Sequence, residues 1–358
     1  MDDIYSTSFE AAQERSQKLE ADLRKNPGNY RVLTGDRPTG RLHVGHLFGS
    51  LQNRVRLQNL GVNTFIVIAD YQVLTDRDTF EAIAENIKQL TIDYLSVGLD
   101  PECGKTFIFP HSHIPELNQL LLPFLTLVTN AELDRNPTVK EEIQASGLKR
   151  INAGMYTYPV HQAADILFCK GNVVPVGKDQ LPHLELTRTI ARRFNERFAA
   201  NKAVFPEPQA LLSASPVILG LDGSQKMSKS RNNAIMISST ADETASLIKK
   251  AKTDAERVIT WDPIKRPEVS NLLLLISLAS GKSPEQVASE IGDGGGGKLK
   301  SVLTETLNEY LRPIRARRAE LEANPEYVRK VLLKGVEEAR NIAISTLEEV
   351  RASMNMII

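Results

Sequence analysis

From Tyr30 to about Arg197 the chain alternates short apolar runs with helix-length amphipathic segments, and this alternation restricts the fold more than any other feature. Tyr30 to Thr34 reads as a strand running into Gly35-Asp36-Arg37-Pro38-Thr39-Gly40, a turn dense in glycine and proline. A helix follows from near Val44 to about Asn59, ended by Gly61, and then an apolar strand from Thr64 to Ala69. The pattern repeats with a helix over about Thr79 to Val97, a strand over Thr106 to Phe109 and a helix over Leu117 to Asn130. A strand over Val173 to Val176 and a helix from about Leu181 to Arg197 complete it. Strands joined through helices form a parallel sheet with both faces covered. The expected fold class is therefore α/β, a doubly wound parallel sheet with its ligands at the carboxyl ends of the strands.

Beyond Thr240 no clear strand remains. Leu272 to Leu278, Leu299 to Leu311, Pro313 to Leu321 and Tyr327 to Met354 all read as helical, which predicts a C-terminal all-helical domain. Gly292 to Gly297 reads as a flexible linker, because a phosphate cradle would need a preceding strand and a closing Lys-Ser or Lys-Thr pair. The predicted division is a polar N-terminal extension (1–29), a Rossmann-like domain (30–219), a loop (220–236), a helical domain (237–340) and a C-terminal helix (341–358) packing back on the Rossmann-like domain.

At 358 residues the chain suits two domains, and 41% hydrophobic with 25% charged residues is ordinary for a soluble protein. Zero net charge supplies no global field for nucleic acid, so any RNA contact requires a local basic patch. Cys103 and Cys169 are too few for a disulfide framework and too far apart for a short metal-binding pair, which fits a reducing compartment. The acidic N-terminus lacks the basic start and apolar core of a secretory signal. Apolar stretches such as Leu272 to Ala279 are too short to span a bilayer, so a cytoplasmic location without membrane contact is expected.

Two short patterns carry chemistry. His43-Val44-Gly45-His46 places two imidazoles one turn apart at the start of a helix whose N–H groups face outward. Gly35 and Gly40 let the backbone approach a nucleotide, and the imidazoles can donate to phosphate oxygens as neutral or cationic groups. Lys226-Met227-Ser228-Lys229-Ser230 lies in Gly220 to Asn233, a polar stretch containing Gly223 and Ser224 that reads as a mobile loop. Its lysines supply point charges on flexible stems, suited to charge developing on a leaving pyrophosphate. Two structural histidines or a solvated lysine-rich loop would explain either pattern alone. Neither reading explains why both patterns occur, once each and in this order. On a third segment, Tyr158, Gln162 and Asp165 share a helix face at i, i+4 and i+7. A buried carboxylate there can accept from a ring N–H, which makes it a selectivity device.

The two signatures resemble those of class I aminoacyl-tRNA synthetases. Tyr158-Pro159-Val160-His161-Gln162-Ala163-Ala164-Asp165, Val174-Pro175-Val176-Gly177-Lys178-Asp179-Gln180, Glu185 to Arg188 and the terminal segment from Ala339 narrow the resemblance to bacterial tryptophanyl-tRNA synthetases, over most of the chain. That resemblance implies activation of L-tryptophan by ATP, release of pyrophosphate and transfer to tRNA(Trp). It implies tryptophan contacts at Leu33, Gln72, Tyr158, Gln162, Asp165, Val174, Val176 and Gln180, with Asp165 at the indole nitrogen. Arg37, Thr39, Gly40, His43, Gly45, His46, Gly177, Asp179, Lys226, Met227, Ser228 and Lys229 would hold ATP. His43, His46, Lys140, Lys226 and Lys229 would carry catalysis. Mg2+ would arrive on the ATP phosphates, with no protein-bound metal centre. The helical domain would read the anticodon across a homodimer, and no DNA partner is implied.

Four positions depart from the commonest family pattern: Gln162 stands for methionine, Gln72 for histidine, Leu33 for an aromatic, and His161 is unusual. A tyrosyl-tRNA synthetase pocket also accommodates Tyr-x-x-x-Gln-x-x-Asp, so the pocket helix alone leaves both amino acids open, and the flanking segments favour tryptophan. A nucleotidyltransferase without tRNA would lack the helical domain and the full lysine loop. An inactive RNA-binding paralogue would be expected to lose His43, His46 or Lys226. The basic run Arg312, Arg315, Arg317, Arg318, Arg329, Lys330 and Lys334 is diluted by glutamates and fits a salt-bridged surface helix nearly as well.

Overall fold

In a computed structural model, which describes residues 2–75, 80–146, 151–212, 217–223 and 225–357, five parallel strands form one sheet. They are β1 (Arg31–Asp36), β2 (Asn63–Ile68), β3 (Thr106–Pro110), β4 (Val173–Val176) and β5 (Gln209–Leu212). Their spatial order is β3-β2-β1-β4-β5. The chain winds outward from β1 through β2 to β3, then returns to the other side of β1 for β4 and β5. The strand order therefore reverses between β1 and β4, and a crevice opens there at the carboxyl ends of the strands.

The sheet is apolar through its middle: Val32, Phe65, Ile66, Ile68, Ile108, Phe109 and Val173 are all buried. Helix Ile83–Ser96 and the helical run from Val44 to Asn59 cover one face. Helices Ala153–Leu167 and Leu181–Phe198 cover the other, around Phe168 and Phe194.

Several segments differ from the sequence reading. The run after Val44 is helical throughout, but Leu47–Leu51 is a π-turn between Val44–His46 and the α-helix Gln52–Asn59. Gly49 is a poor helix former there, and the Ser50 hydroxyl donates to the His46 carbonyl at 3.1 Å. The helix expected over Leu117 to Asn130 is broken into Pro115–Asn118 and Leu121–Leu125, followed by Asn130–Asp134. Thr79, the expected start of the next-strand crossover helix, lies outside the described residues, and that helix runs Ile83–Ser96.

The N-terminal extension is largely the helix Asp2–Lys25, seated through Leu19 and Leu23 against Val32, Val173 and Leu211. The expected glycine linker is shorter than drawn, because Gly295 already opens the helix Gly295–Glu322, which continues through Pro313. The last helix, Pro325–Ser353, lies against β3 and carries Ala339, Ala343, Leu347 and Val350 into the core beneath the sheet. Among the described residues no helix is long and apolar enough to cross a membrane.

Candidate active site

A cavity of about 410 Å³ occupies the β1–β4 crevice. Leu33 and Arg37 line it from β1 and the turn beyond, and Val174, Val176, Gly177 and Gln180 from β4 and its exit. Gln72 enters from the 3-10 turn Tyr71–Thr75, while Tyr158, Gln162 and Asp165 project from Ala153–Leu167. All eight residues assigned to tryptophan by resemblance thus surround one cavity. Asn152 caps the pocket helix by accepting from Met155 N–H at 2.8 Å, and Pro159 sits inside the helix.

The polar groups of the pocket are held from behind by residues that sequence reasoning missed. The Tyr71 N–H donates to His111 Nε2 at 3.0 Å, so that nitrogen is the acceptor and the ring proton sits on Nδ1. Nδ1 in turn donates to Asp165 Oδ1 at 3.0 Å. Burial works against the imidazolium form of His111, while the charges of Asp165 and Asp70 hold its pKa above the ordinary value. The Tyr71 N–H aimed at Nε2 opposes a second ring proton.

Gln72 Nε2 lies 3.0 Å from His161 Nδ1, and His161 Nε2 lies 2.7 Å from Asn118 Oδ1. Both Asn118 amide protons go to the His111 and Ile114 carbonyls, so Oδ1 accepts and His161 donates through Nε2. His183 Nε2 meets the Tyr158 hydroxyl at 2.9 Å, and Asn136 Nδ2 approaches His183 Nδ1 at 3.2 Å. Burial lowers His183 to about 4, whereas burial and then Glu142 raise Tyr158 well above its usual value. No local motif marks His111, Asn118 or His183. They lie at strand ends and on crossover helices far from Asp165 in sequence.

His111, His161 and Asp165 present nitrogen and oxygen atoms within 4.8 Å of one another. Each imidazole nitrogen already has a protein partner, so the donor set suits a hydrogen-bonded network better than a metal ion.

The two signatures meet beside this cavity. Val44 N–H donates to the Ile235 carbonyl and Ile237 N–H to the Leu42 carbonyl, both at 2.9 Å. These bonds stitch the histidine turn to the segment after the lysine loop. Lys229 Nζ reaches the Thr39 carbonyl at 3.1 Å and stands beside Gly40, whose φ of +114° favours glycine. Met227 is buried and Lys226 exposed; Ser228 N–H donates to Asn233 Oδ1 at 2.8 Å. The loop is therefore seated on the histidine turn in this structure. Ser224 lies outside the described residues.

The rings of His43 and His46 are 3.8 Å apart. Gly45 lets them approach the loop, since a Cβ there would fall 2.9 Å from the His43 ring and 3.4 Å from Met227 Cβ. Burial lowers His43 to about 3, helped by the positive charges of His46, Lys229 and Lys226. Burial likewise lowers His46 to about 4 against the opposing pull of Asp36. His46 Nδ1 accepts from His43 N–H at 3.3 Å, leaving Nε2 as its donor. At neutral pH both rings are thus uncharged donors.

Two assigned residues stand apart. Lys140 is exposed on Pro137–Ser146, whose Glu142 rather than Lys140 lines the cavity. Asp179 is exposed in the 3-10 turn Lys178–Gln180 and does not line the cavity; its carboxylate accepts from Gln180 Nε2 at 3.1 Å. The cavity also borders Gly49, Ser50, Asn53 and Arg54 on the helical run after His46. Arg54 Nη1 and the Tyr94 hydroxyl both donate to Asp36 Oδ2 at 2.7 Å. Although burial disfavours the anion, Arg54 holds Asp36 down at about 2.

A family model of tRNA synthetases class I (W and Y) matches residues 25–312. The tryptophan--tRNA ligase of Clostridium longisporum is 42% identical over 91% of this chain and 96% of its own length. That of Streptococcus mutans is 43% identical over 91% and 98%. Among solved structures, Campylobacter jejuni tryptophanyl-tRNA synthetase complexed with ADP and tryptophan superposes with a TM-score of 0.79 at 30% identity, over 91% of this chain and 99% of that one. The matched span includes both signatures, the cavity and most of the helical region, and the chain belongs to the class I tRNA synthetases, on their bacterial tryptophanyl branch.

Proposed function

We propose that this chain is a tryptophan–tRNA ligase that activates L-tryptophan with ATP, releases pyrophosphate and transfers the activated residue to tRNA(Trp). The carrying observation is the juxtaposition of two half-sites. A cavity into which the buried carboxylate of Asp165 opens lies next to a histidine turn on which Lys229 is already seated. The tryptophan carboxylate attacks the α-phosphorus and the bond to pyrophosphate breaks. Negative charge grows on phosphoryl oxygens, so positioning and cationic stabilisation are what the protein must supply.

In this reading His43 and His46 donate as neutral imidazoles, while Lys226 and Lys229 offset the charge on the leaving pyrophosphate. Arg37, Thr39, Gly40, Gly45, Gly177, Met227 and Ser228 shape the nucleotide cleft. Asp165 accepts the indole N–H, Leu33, Val174 and Val176 form apolar walls, and Gln72, Gln162, Tyr158 and Gln180 supply polar contacts. Lys140 and Asp179 would have to approach as the crevice closes on its ligands. The phosphate end is lined by nitrogen donors, which suit phosphate oxygens and not a divalent cation, so Mg2+ belongs to the incoming ATP. The helical region would bind the tRNA, with a homodimer in the cytoplasm as the working form.

Pyrophosphate exchange with each standard amino acid tests this reading. Tryptophan-dependent exchange followed by charging of tRNA(Trp) is expected. Exchange dependent on tyrosine, or exchange without charging, would overturn it.

A further inference from the structure

Asp165 lines the cavity, yet among the described residues only one of its oxygens faces a protein donor. Oδ1 accepts from His111 Nδ1 at 3.0 Å, and Oδ2 accepts from no group among the described residues. A carboxylate free to rotate about its last torsion would present either oxygen at a range of angles. The His111 ring removes that freedom, and its own placement is over-determined. It is fully buried, its Nε2 accepts the Tyr71 N–H at 3.0 Å, and its ring packs 4.7 Å from that of His161. His161 does the same for the neighbouring wall: anchored by Asn118, it accepts from the Gln72 amide nitrogen and so turns Gln72 Oε1 away from itself.

We infer that His111 is a positioning residue for substrate selection: through Nδ1–H it fixes the Asp165 carboxylate so that Oδ2 meets the indole N–H, with His161 fixing Gln72 alongside. The inference rests on the reading of Asp165 given above. A neutral imidazole with its proton on Nδ1 is required, since only that tautomer both accepts from Tyr71 and donates to Asp165.

The test compares tryptophan with its sulfur isostere, β-(3-benzothienyl)alanine, which keeps the shape and lacks the N–H donor. The preference, read as the ratio of kcat/KM in pyrophosphate exchange and of Kd in direct titration, is expected to be on the order of 10- to 100-fold in the unaltered enzyme. Asp165→Ala tests the underlying reading: if it leaves the preference intact, Asp165 does not hold the indole and both claims fall. If it abolishes the preference, the histidine variants decide the inference. His111→Asn keeps an amide donor near the Nδ1 position and should retain most of the preference. His111→Gln keeps an acceptor for the Tyr71 N–H but loses the donor to Asp165, and its ratio should drop toward unity. A wild-type ratio in His111→Gln, or an equal loss in both histidine variants, overturns the inference. An independent readout needs no variant: the ¹⁵N shifts of His111 in the unaltered protein should show a protonated Nδ1 and a bare Nε2. The opposite tautomer also overturns it.

Discussion

His43 and His46 lie against each other under two lysines, and burial holds both well below the ordinary imidazole value, at about 3 and about 4. In the unfolded chain each would titrate near pH 6.5. Between those limits the unfolded state binds more protons than the folded one, so the stability contributed by keeping the rings neutral is present above about pH 6.5 and lost as pH falls toward 4. With imidazole Cε1 labelled with ¹³C and resonances assigned through His43→Asn and His46→Asn, neither ring of the free enzyme should titrate from pH 8 to 5. A midpoint near 6.5 for either would mean that the ring is solvated or faces an anion, and the neutral-donor role would fail. The pairing of these two side chains was legible in the motif His43-Val44-Gly45-His46, which sets them three positions apart. Their protonation was not, because it depends on Met227, Lys226 and Lys229, nearly two hundred residues away. The same limit hid His111: nothing near Pro110-His111-Ser112 announces a partner on the pocket helix.

At the scale of elements, the close approach of the terminal helix to the sheet depends on Gly335. A Cβ built there would fall 2.0 Å from the Ile108 carbonyl oxygen on β3. Two effects oppose each other in Gly335→Ala. Helix propensity favours alanine by about 1 kcal/mol. Overpacking against a backbone that cannot rotate away costs about 1–3 kcal/mol or more. The clash wins, and urea unfolding is expected to show a net loss of stability; a more stable variant would mean that the helix seats elsewhere. Elements were legible where local pattern and tertiary demand agreed, as in β1 to β4, the pocket helix and Leu181–Phe198. They were lost where context decides. Gln209–Leu212 has no β-branched residue and becomes a strand because β4 offers it an open edge. The helix expected over Leu117 to Asn130 contains Pro123, which cannot donate to the preceding turn. Gly295 to Gly297 would disfavour a helix in isolation, but Gly295 N–H donates to the Arg257 carbonyl at 2.9 Å, and that tertiary bond fixes the start.

Across the whole molecule, one buried chain of polar contacts runs from the helical region to the histidine turn. Arg318 on Gly295–Glu322 donates to Asp93 Oδ1 and to Gln89 on Ile83–Ser96. Asp93 Oδ2 accepts the Leu42 N–H at 2.8 Å, immediately before His43. The loop root is tied to the same region, since Asn271 accepts from Leu219 N–H at 2.9 Å and donates back to its carbonyl at 3.0 Å. Both signatures therefore hang from the helices rather than from the sheet alone. Arg318 and Asp93 are almost wholly buried, so Arg318→Met strands a carboxylate without its counter-charge and is expected to cost about 3–5 kcal/mol in urea unfolding. Adding Asp93→Leu removes the orphaned charge, and part of that stability should return. The Leu42 N–H has then lost its acceptor, so the KM for ATP in pyrophosphate exchange should stay raised in the double variant while its stability recovers. This separation is the point of the experiment: recovery of both together would show that Arg318 and Asp93 only hold the two regions together. A single Arg318→Met variant as stable as the parent would show that the buried pair does not join them at all.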